Sequence, residues 1–280
     1  MVCQFVHVVI TRFNVKVDLD TDKRIDQEWL RRRFTLFEEF CYPSMAAQHA
    51  PYIWMVLFDA ETPDEFMRRI ESYRRLPSFL PIFVHGVLND EMIAKLVMAS
   101  IPPDKDYLIT TRLDNDDGME SMFISRIQRT FRETEAEFIN FPLGYQWQAG
   151  RLYYVFDPSN PFISLVERLP TASEGQSPRT VHCAPHSRLR SVAPVRQILT
   201  RPMWLQVLHG TNVSNHLRGV RRPHGGMPKW FVFGTGVVLL HDQWWQRYAD
   251  VAFTSTYQLA KWCARRVRRV SRVAHKRFPI

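Results

Sequence analysis

The sequence predicts an α/β fold, a mainly parallel central sheet flanked by helices. Three observations carry that expectation. Short apolar runs rich in β-branched residues alternate with helical segments through the first half, in the order βαβαβαβ, which calls for parallel strands joined by right-handed crossovers. Hydrophobic residues make up 45% of the 280 and aromatics 13%, enough for one substantial core. The strand Tyr107-Leu108-Ile109-Thr110-Thr111 runs straight into Arg112-Leu113-Asp114-Asn115-Asp116-Asp117-Gly118. That places clustered carboxylates at the carboxyl edge of the sheet, where open α/β folds bind ligands.

The elements follow in order. Residues 5–10 read as a strand and 26–40 as a helix. Residues 53–58 form a strand ending at Asp59. Thr62-Pro63-Asp64-Glu65 reads as a helix start, with Thr62 as N-cap and Pro63 at the first helical position. A strand at 81–84, a helix at 89–99, the strand ending at Thr111 and a helix at 121–135 complete the regular half. Beyond it, 151–156 and 162–166 read as strands joined by the turn Asp157-Pro158-Ser159-Asn160-Pro161. Residues 171–178 form a polar loop and 194–200 a short helix. His209 to Pro228, rich in Gly, Asn, Arg and His, reads as a long functional loop. In the tail, Leu259, Cys263, Val267, Val270 and Ala274 make one apolar stripe at helical spacing, so 257–278 reads as an amphipathic helix.

Composition removes several classes. No run approaches ~20 apolar residues, so no membrane-spanning helix is expected. The apolar start from Met1 to Ile10 lacks a basic leader and a cleavage site, and reads as a strand. Cys3, Cys41, Cys183 and Cys263 are scattered without a CxxC, which indicates neither a zinc cluster nor a disulfide framework. A reducing cytoplasm is the expected compartment. The net charge of +9 is local: eight of the 37 Lys and Arg lie between Lys261 and Arg277, and no acid follows Asp250. The 29 remaining bases face 28 acids, so the body is nearly neutral. That disfavours nucleic acid as a partner and suits a local contact, either with an anionic membrane surface through 257–280 or with a partner protein. A terminal helix packed on its own domain with a solvated basic face is the alternative.

The acid cluster can be narrowed by spacing. An EF-hand loop counted back from Gly118 would start on Leu113, not an acid. An aspartyl phosphatase wants Asp-x-Asp followed by Gly-Thr, whereas Asp117 intervenes and Met119 replaces the Thr. Neither GxxxxGK[ST] nor GxGxxG occurs. A divalent ion bridging carboxylates and a diphosphate remains. The competing expectation is that Asp114 and Asp117 cap the next helix or pair with arginines.

Several segments carry a resemblance in this order: His7-Val8-Val9-Ile10-Thr11-Arg12-Phe13-Asn14, Phe40-Cys41-Tyr42-Pro43-Ser44 with Gln48, Trp54 to Asp59 with Thr62-Pro63, Thr110 to Gly118, Asn160 to Glu167, and Trp204 to Val213. The chain resembles bacterial glycosyltransferases of the GT-A fold, and most closely the rhamnosyltransferase family. The resemblance implies a GT-A-like single domain over 1–250, with a nucleotide-binding half at 1–118 and an acceptor half at 119–250; the basic amphipathic helix read from the apolar stripe follows at 251–280. It implies transfer of a sugar from a nucleotide-sugar donor to a glycan or glycolipid acceptor in surface polysaccharide synthesis, with Mn²⁺ or Mg²⁺ as cofactor, in the cytoplasm or peripherally on the inner face of the plasma membrane. Asp114, Asn115 and Asp116 look like the DxD element. Asp116 is then the first metal ligand, Asp114 lies near ribose or metal, and Asp117 extends the element. Thr11 and Arg12 would line the nucleotide pocket, Asp59 would meet the base, and Arg112 would neutralise diphosphate. His209 would complete the metal site, with His216 and His224 as weaker competitors. Arg218, Arg221 and Arg222 would clamp phosphate or form a solvated basic loop.

An acceptor hydroxyl must lose a proton, and the transition state is oxocarbenium-like. Glu167 and Asp157 are the candidate carboxylates, Glu167 preferred because Asp157 precedes Pro158 in a turn. Trp147, Tyr153, Trp204 and Trp230 either stack on sugars or belong to the core. A non-catalytic, membrane-apposed binding protein with a structural acid cluster is the alternative function.

Overall fold

The computed structural model describes residues 4–17, 22–170, 177–185, 188–209, 216–222, 228–240, 243–246 and 248–259. Strand β1 (Phe5–Arg12) leads to helix α1 (Gln27–Leu36), which Asp26 caps by accepting the Trp29 N–H at 2.7 Å. The helix continues through a π-helical turn, Phe37–Cys41, into α2 (Tyr42–Ala46). Then come β2 (Ile53–Asp59), α3 (Asp64–Ser72), β3 (Phe79–Val84), α4 (Asp90–Ser100) and β4 (Tyr107–Arg112). The expected alternation is present. The cap of α3 differs: Pro63 holds the cap position, and the Thr62 hydroxyl instead donates to the Asp59 carbonyl at 2.6 Å.

The second half departs further. After β5 (Gly118–Met119), helix α5 covers only Phe123–Arg129 and not 121–135. It is followed by β6 (Ala136–Asn140) and β7 (Leu143–Gln148), two strands absent from the sequence reading. β8 (Arg151–Phe156) and β9 (Ile163–Arg168) exist as expected but do not pair, because they join different sheets. Residues 194–200 hold a strand, β10 (Val195–Gln197), in place of the expected helix. β11 (Trp204–Leu208) and β12 (Val220–Arg221) complete the set, and residues 248–259 are helical. Most of the expected tail helix, 260–278, lies outside the described residues, as do 171–176 of the expected polar loop and His224.

The main sheet has the order β10-β6-β9-β4-β1-β2-β3. β1, β2, β3 and β4 are mutually parallel, while β9 lies antiparallel between β4 and β6. The sheet is therefore mostly parallel and crosses the sequence midpoint, so 118 marks no boundary in it. Apolar layers cover both faces. One holds Phe34, Phe37, Trp54, Phe58 and Phe123, and the other Ile10, Leu57, Ile93, Val97 and Leu165. A second sheet, β12-β8-β7-β11-β5, begins where the acid cluster ends. Among the described residues no helix is long and apolar enough to cross a membrane.

A buried polar chain threads the main sheet. His7 Nε2 lies 2.8 Å from the Thr111 hydroxyl, which lies 2.6 Å from the Ser164 hydroxyl. Burial pushes the His7 imidazole down to about 3, far below the ~6.5 of an unfolded chain. The unfolded state therefore takes up this proton first as pH falls. The stability that neutral His7 contributes is complete above ~6.5 and is lost progressively toward 3, at roughly 1.4 kcal/mol per pH unit. Urea unfolding between pH 7.5 and 5 should show that slope, and His7→Gln should flatten it by about one proton's worth. Identical slopes in the two proteins would refute the assignment.

Candidate functional site

The end of β4 turns on Leu113, whose buried side chain anchors it to the apolar layer, and the acids fan out to three different partners. Asp114 is the most exposed and receives Arg112, whose Nη2 lies 3.1 and 3.2 Å from its two oxygens. Asn115 donates to the Phe13 carbonyl at 2.7 Å and ties the turn to the end of β1. Asp117 is buried and accepts the Val207 N–H at 2.8 Å, which fastens the turn to β11. Burial, reinforced by the neighbouring Asp116 and Asp114 charges, pushes the Asp117 carboxyl well above the usual carboxylate range.

Asp116 is the meeting point. Its Oδ2 lies 2.8 Å from His209 Nε2, across 93 residues of sequence, and 2.5 Å from Arg33 Nη1 on α1. Burial alone would raise this carboxyl, but the His209 hydrogen bond and the Arg33 charge outweigh it, and it sits below the usual range. Arg33 also reaches Asn115 Oδ1 at 3.1 Å and stacks on Trp29. The sequence reading did not single out Arg33. It closes a run of three arginines on α1, and of these Arg31 is 56% exposed, Arg32 66% and Arg33 only 18%. Helical geometry turns the third inward, a signal that the spacing from the capped start could have supplied.

The fit to a divalent ion can be judged from these donors. Mg²⁺ or Mn²⁺ in phosphate chemistry takes one or two protein carboxylates and fills its other positions with water and phosphate oxygens. One carboxylate oxygen and one imidazole nitrogen at 2.8 Å suit that small protein share. The described residues offer no cluster of three or more His, Cys, Asp or Glu, and Arg33 shares the same oxygen. Asp114 and Asp117, expected as further ligands, are turned to Arg112 and Val207.

The remaining expected site residues fall into two groups. Arg12 and Arg112 stand at the ends of adjacent parallel strands, and the pairing Ile10↔Arg112 puts both on one face of the sheet. His182, also unforeseen, joins them there. The Val181 N–H bonds the Thr110 hydroxyl at 2.8 Å, and the buried His182 Nε2 has no hydrogen-bond partner. Burial, aided by the Arg12 and Arg112 charges, pushes its imidazole well below its usual value. Asp59 lies at the same edge but is occupied by Arg24, 2.8 Å away. Thr11 lines no cleft: it is wholly buried, and its hydroxyl accepts the Trp54 indole N–H at 2.9 Å.

The two expected catalytic carboxylates are not brought to the cluster. Glu167 pairs with Leu108 at the start of β4, roughly 13 Å along the strand from Arg112 at about 3.3 Å per residue. Because β9 runs antiparallel, its last residues lie at the opposite edge of the sheet. The Glu167 oxygens accept the N–H groups of Arg179 and Thr180 at 2.8 and 2.9 Å. Asp157 follows the β7–β8 end where Leu143 pairs with Phe156, whereas His209 emerges at the end where Gln148 pairs with Leu208. Its carboxylate caps Ser159 and pairs with Arg218 at 2.8 Å. Arg221 and Arg222 are tied to the Leu152 carbonyl, and the His216 carbonyl accepts from Gln146. Trp204 is core, Tyr153 is buried beside Arg221, Trp147 packs on Phe40, and Trp230 lies under Arg201.

A family model described as "Putative rhamnosyl transferase" matches residues 1–221. Among solved structures, S. aureus TarS is similar over 73% of this chain and 37% of its own, with 10% identity and a TM-score of 0.40. TarS 1–349 in complex with UDP is similar over 73% and 60%, with 12% identity and a TM-score of 0.41. A 4-diphosphocytidyl-2C-methyl-D-erythritol synthase covers 70% and 88%, with 11% identity and a TM-score of 0.35. The chain thus spans between about a third and three fifths of the length of the TarS chains it matches. No curated protein sequence matches.

Proposed function

The chain belongs to the rhamnosyl transferase family, whose model covers residues 1–221, and from that membership we propose that it is a glycosyltransferase moving a sugar, rhamnose by the family's description, from a nucleotide-sugar donor to a glycan or glycolipid acceptor. The observation that carries this reading is the convergence of Asp116, His209 and Arg33 at the carboxyl edge of the parallel sheet, the edge at which such sheets take nucleotides.

In transfer the acceptor hydroxyl oxygen bonds to the anomeric carbon as the bond from that carbon to the diphosphate oxygen breaks; the hydroxyl proton leaves to the departing diphosphate or to water, and negative charge grows on the leaving diphosphate. Arg112 and Arg12 on one face, and Arg33 beside Asp116, are fixed cations at this edge. Charges held in place before reaction stabilise a developing anion without reorganisation. Asp114 holds the Arg112 guanidinium in its orientation. His182 Nε2, buried without a partner, supplies an N–H donor to a phosphate oxygen at the same face when that tautomer is present. Asp116 and His209 would hold a Mn²⁺ or Mg²⁺ ion, whose chemistry when bound is to neutralise the diphosphate. Neither Glu167 nor Asp157 has a part in this reading, since both lie away from the cluster. Assembly of a surface polysaccharide is the proposed setting.

Purified protein offered a panel of uridine, thymidine and guanosine diphosphate sugars with Mn²⁺ is expected to release nucleoside diphosphate from one of them. Calorimetry without acceptor should show the same donor binding. Binding of neither nucleotide nor metal would sink the reading and favour the alternative, a membrane-apposed binding protein whose acid cluster only pins β11 and β1 together.

A further inference from the structure

The second sheet is covered on one side by residues 228–240, with Phe231 and Phe233 packed toward Tyr145 and Phe40. The chain then forms helical residues 244–246 and 248–259, and this segment is docked inside out. Its body-facing side is polar: Thr254 is buried with its hydroxyl accepting the Arg221 N–H at 3.0 Å, and Asp250 lies 3.9 Å from the Arg221 guanidinium. The outward residues are mostly large and apolar, with Gln246 and Thr256 exposed among them. Trp244 is 71% exposed, Trp245 56%, Tyr248 58%, Phe253 70% and Leu259 61%. A helix that serves only to close a soluble domain buries the opposite side. Immediately after it in sequence come Lys261, Arg265, Arg266, Arg268, Arg269, Arg272, Lys276 and Arg277, with no acid beyond Asp250.

We propose that residues 244–259 dock this protein on an anionic lipid bilayer, with the tryptophans, Tyr248 and Phe253 seated at headgroup level and the basic run that follows drawn to the negative surface. Each half of the pattern supplies what the other lacks. Trp and Tyr prefer the membrane–water boundary because one end of the ring is apolar and the other polar. An aromatic helix alone would bind neutral and charged lipid alike. Lys and Arg alone would bind any polyanion, but the body is nearly neutral and adds no basic surface to extend such a contact. Nucleic acid is thereby disfavoured, and a second copy of this chain would bring an equally basic run against the first. The inference does not depend on the donor or the reaction.

The full chain should be sedimented with vesicles of phosphatidylcholine alone and with about 30% phosphatidylglycerol added. Anionic vesicles are expected to capture it at least tenfold better, and the advantage should shrink as salt rises. The triple variant Trp244→Ser, Trp245→Ser, Phe253→Ser should lose about tenfold of that capture with an unchanged thermal melt, since all three side chains are outward. Quenching of tryptophan fluorescence by brominated lipid should fall with it. Equal capture by both vesicle types, no capture, or undiminished capture of the triple variant would each overturn the proposal. So would a dimer in light scattering that the triple variant dissolves while lipid has no effect, or salt-sensitive oligonucleotide binding to a protein that ignores the vesicles.

Discussion

Asp116→Asn is expected to lower kcat/KM for nucleotide-sugar turnover by about 10²–10³-fold, the scale of losing one preorganised electrostatic group at a reacting centre. The choice of Asn matters. Asp116 is buried between His209 and Arg33, and the Arg33 Nε already has no partner. Alanine would leave a guanidinium buried beside a void, and unpaired buried charge is among the costliest of substitutions. Any loss of activity would then be confounded with loss of fold. Asparagine keeps the shape and the hydrogen bond from His209 or Arg33 while removing the charge. Two readouts besides turnover separate a site from a strut. Mn²⁺ affinity by calorimetry should fall at least tenfold, because among the described residues the proposed ion would take this carboxylate and the His209 imidazole. The thermal melt should move by only a few degrees. His209→Gln should weaken Mn²⁺ binding as well while leaving Arg33 paired. Full turnover by Asp116→Asn in excess Mn²⁺ would remove the residue from the site.

The parts of this arrangement that could be read from the sequence share a physical property: they are set by local pattern. β1 to β4 and the helices between them are long or strongly apolar, and Asp26 and Asn89 cap two of those helices. β6 and β10 are short. Ala136-Glu137-Phe138-Ile139-Asn140 follows directly on the stretch read as a helix and is too short to announce itself, and Val195-Arg196-Gln197 has no period at all. Both are strands because a partner supplied from elsewhere in the chain, β9 in one case and β6 in the other, satisfies their backbone groups. Direction was equally invisible. Glu167 does stand at a strand end, but the antiparallel insertion of β9 carries that end to the far edge. Motif order was enough to pair Asp116 with His209, which the structure places 2.8 Å apart. Arg33 was hidden in a basic run indistinguishable from a solvated face, and His182 was a lone histidine in an irregular stretch. Neither shows where it lies until the sheet places it.

Trp204→Ala is expected to cost about 3–5 kcal/mol of folding free energy, the range for emptying a large aromatic from a packed interior. Few side chains hold as much together. The ring is 1% exposed and stacks on Phe162 with centroids 5.0 Å apart and planes 10° from parallel. Its indole N–H donates to the Phe141 carbonyl at 2.8 Å. Gly144 on β7 has no side chain because the indole lies directly over it: a Cβ there would run into the ring. Phe162 leads into β9 of the main sheet, while Trp204 opens β11 and pairs with Met119 of β5, so this stack joins the two sheets beside the acid cluster. Its removal should therefore also reach the site, because β11 carries the Val207 N–H that holds Asp117 and leads to His209 beside Asp116. Urea unfolding measures the first effect. A loss below about 1 kcal/mol would contradict the joint that the packing describes. Trp204→Phe should recover most of the stacking and lose one of two hydrogen bonds to the Phe141 carbonyl, which keeps the Asn160 amide at 3.0 Å, a residual cost of about 0.5–1.5 kcal/mol. Gly144→Ala should be destabilising from the opposite direction, by overfilling the same space. If Trp204→Phe restored stability but not donor turnover, the position of β11, and with it His209, would prove more finely set by the indole than the fold requires.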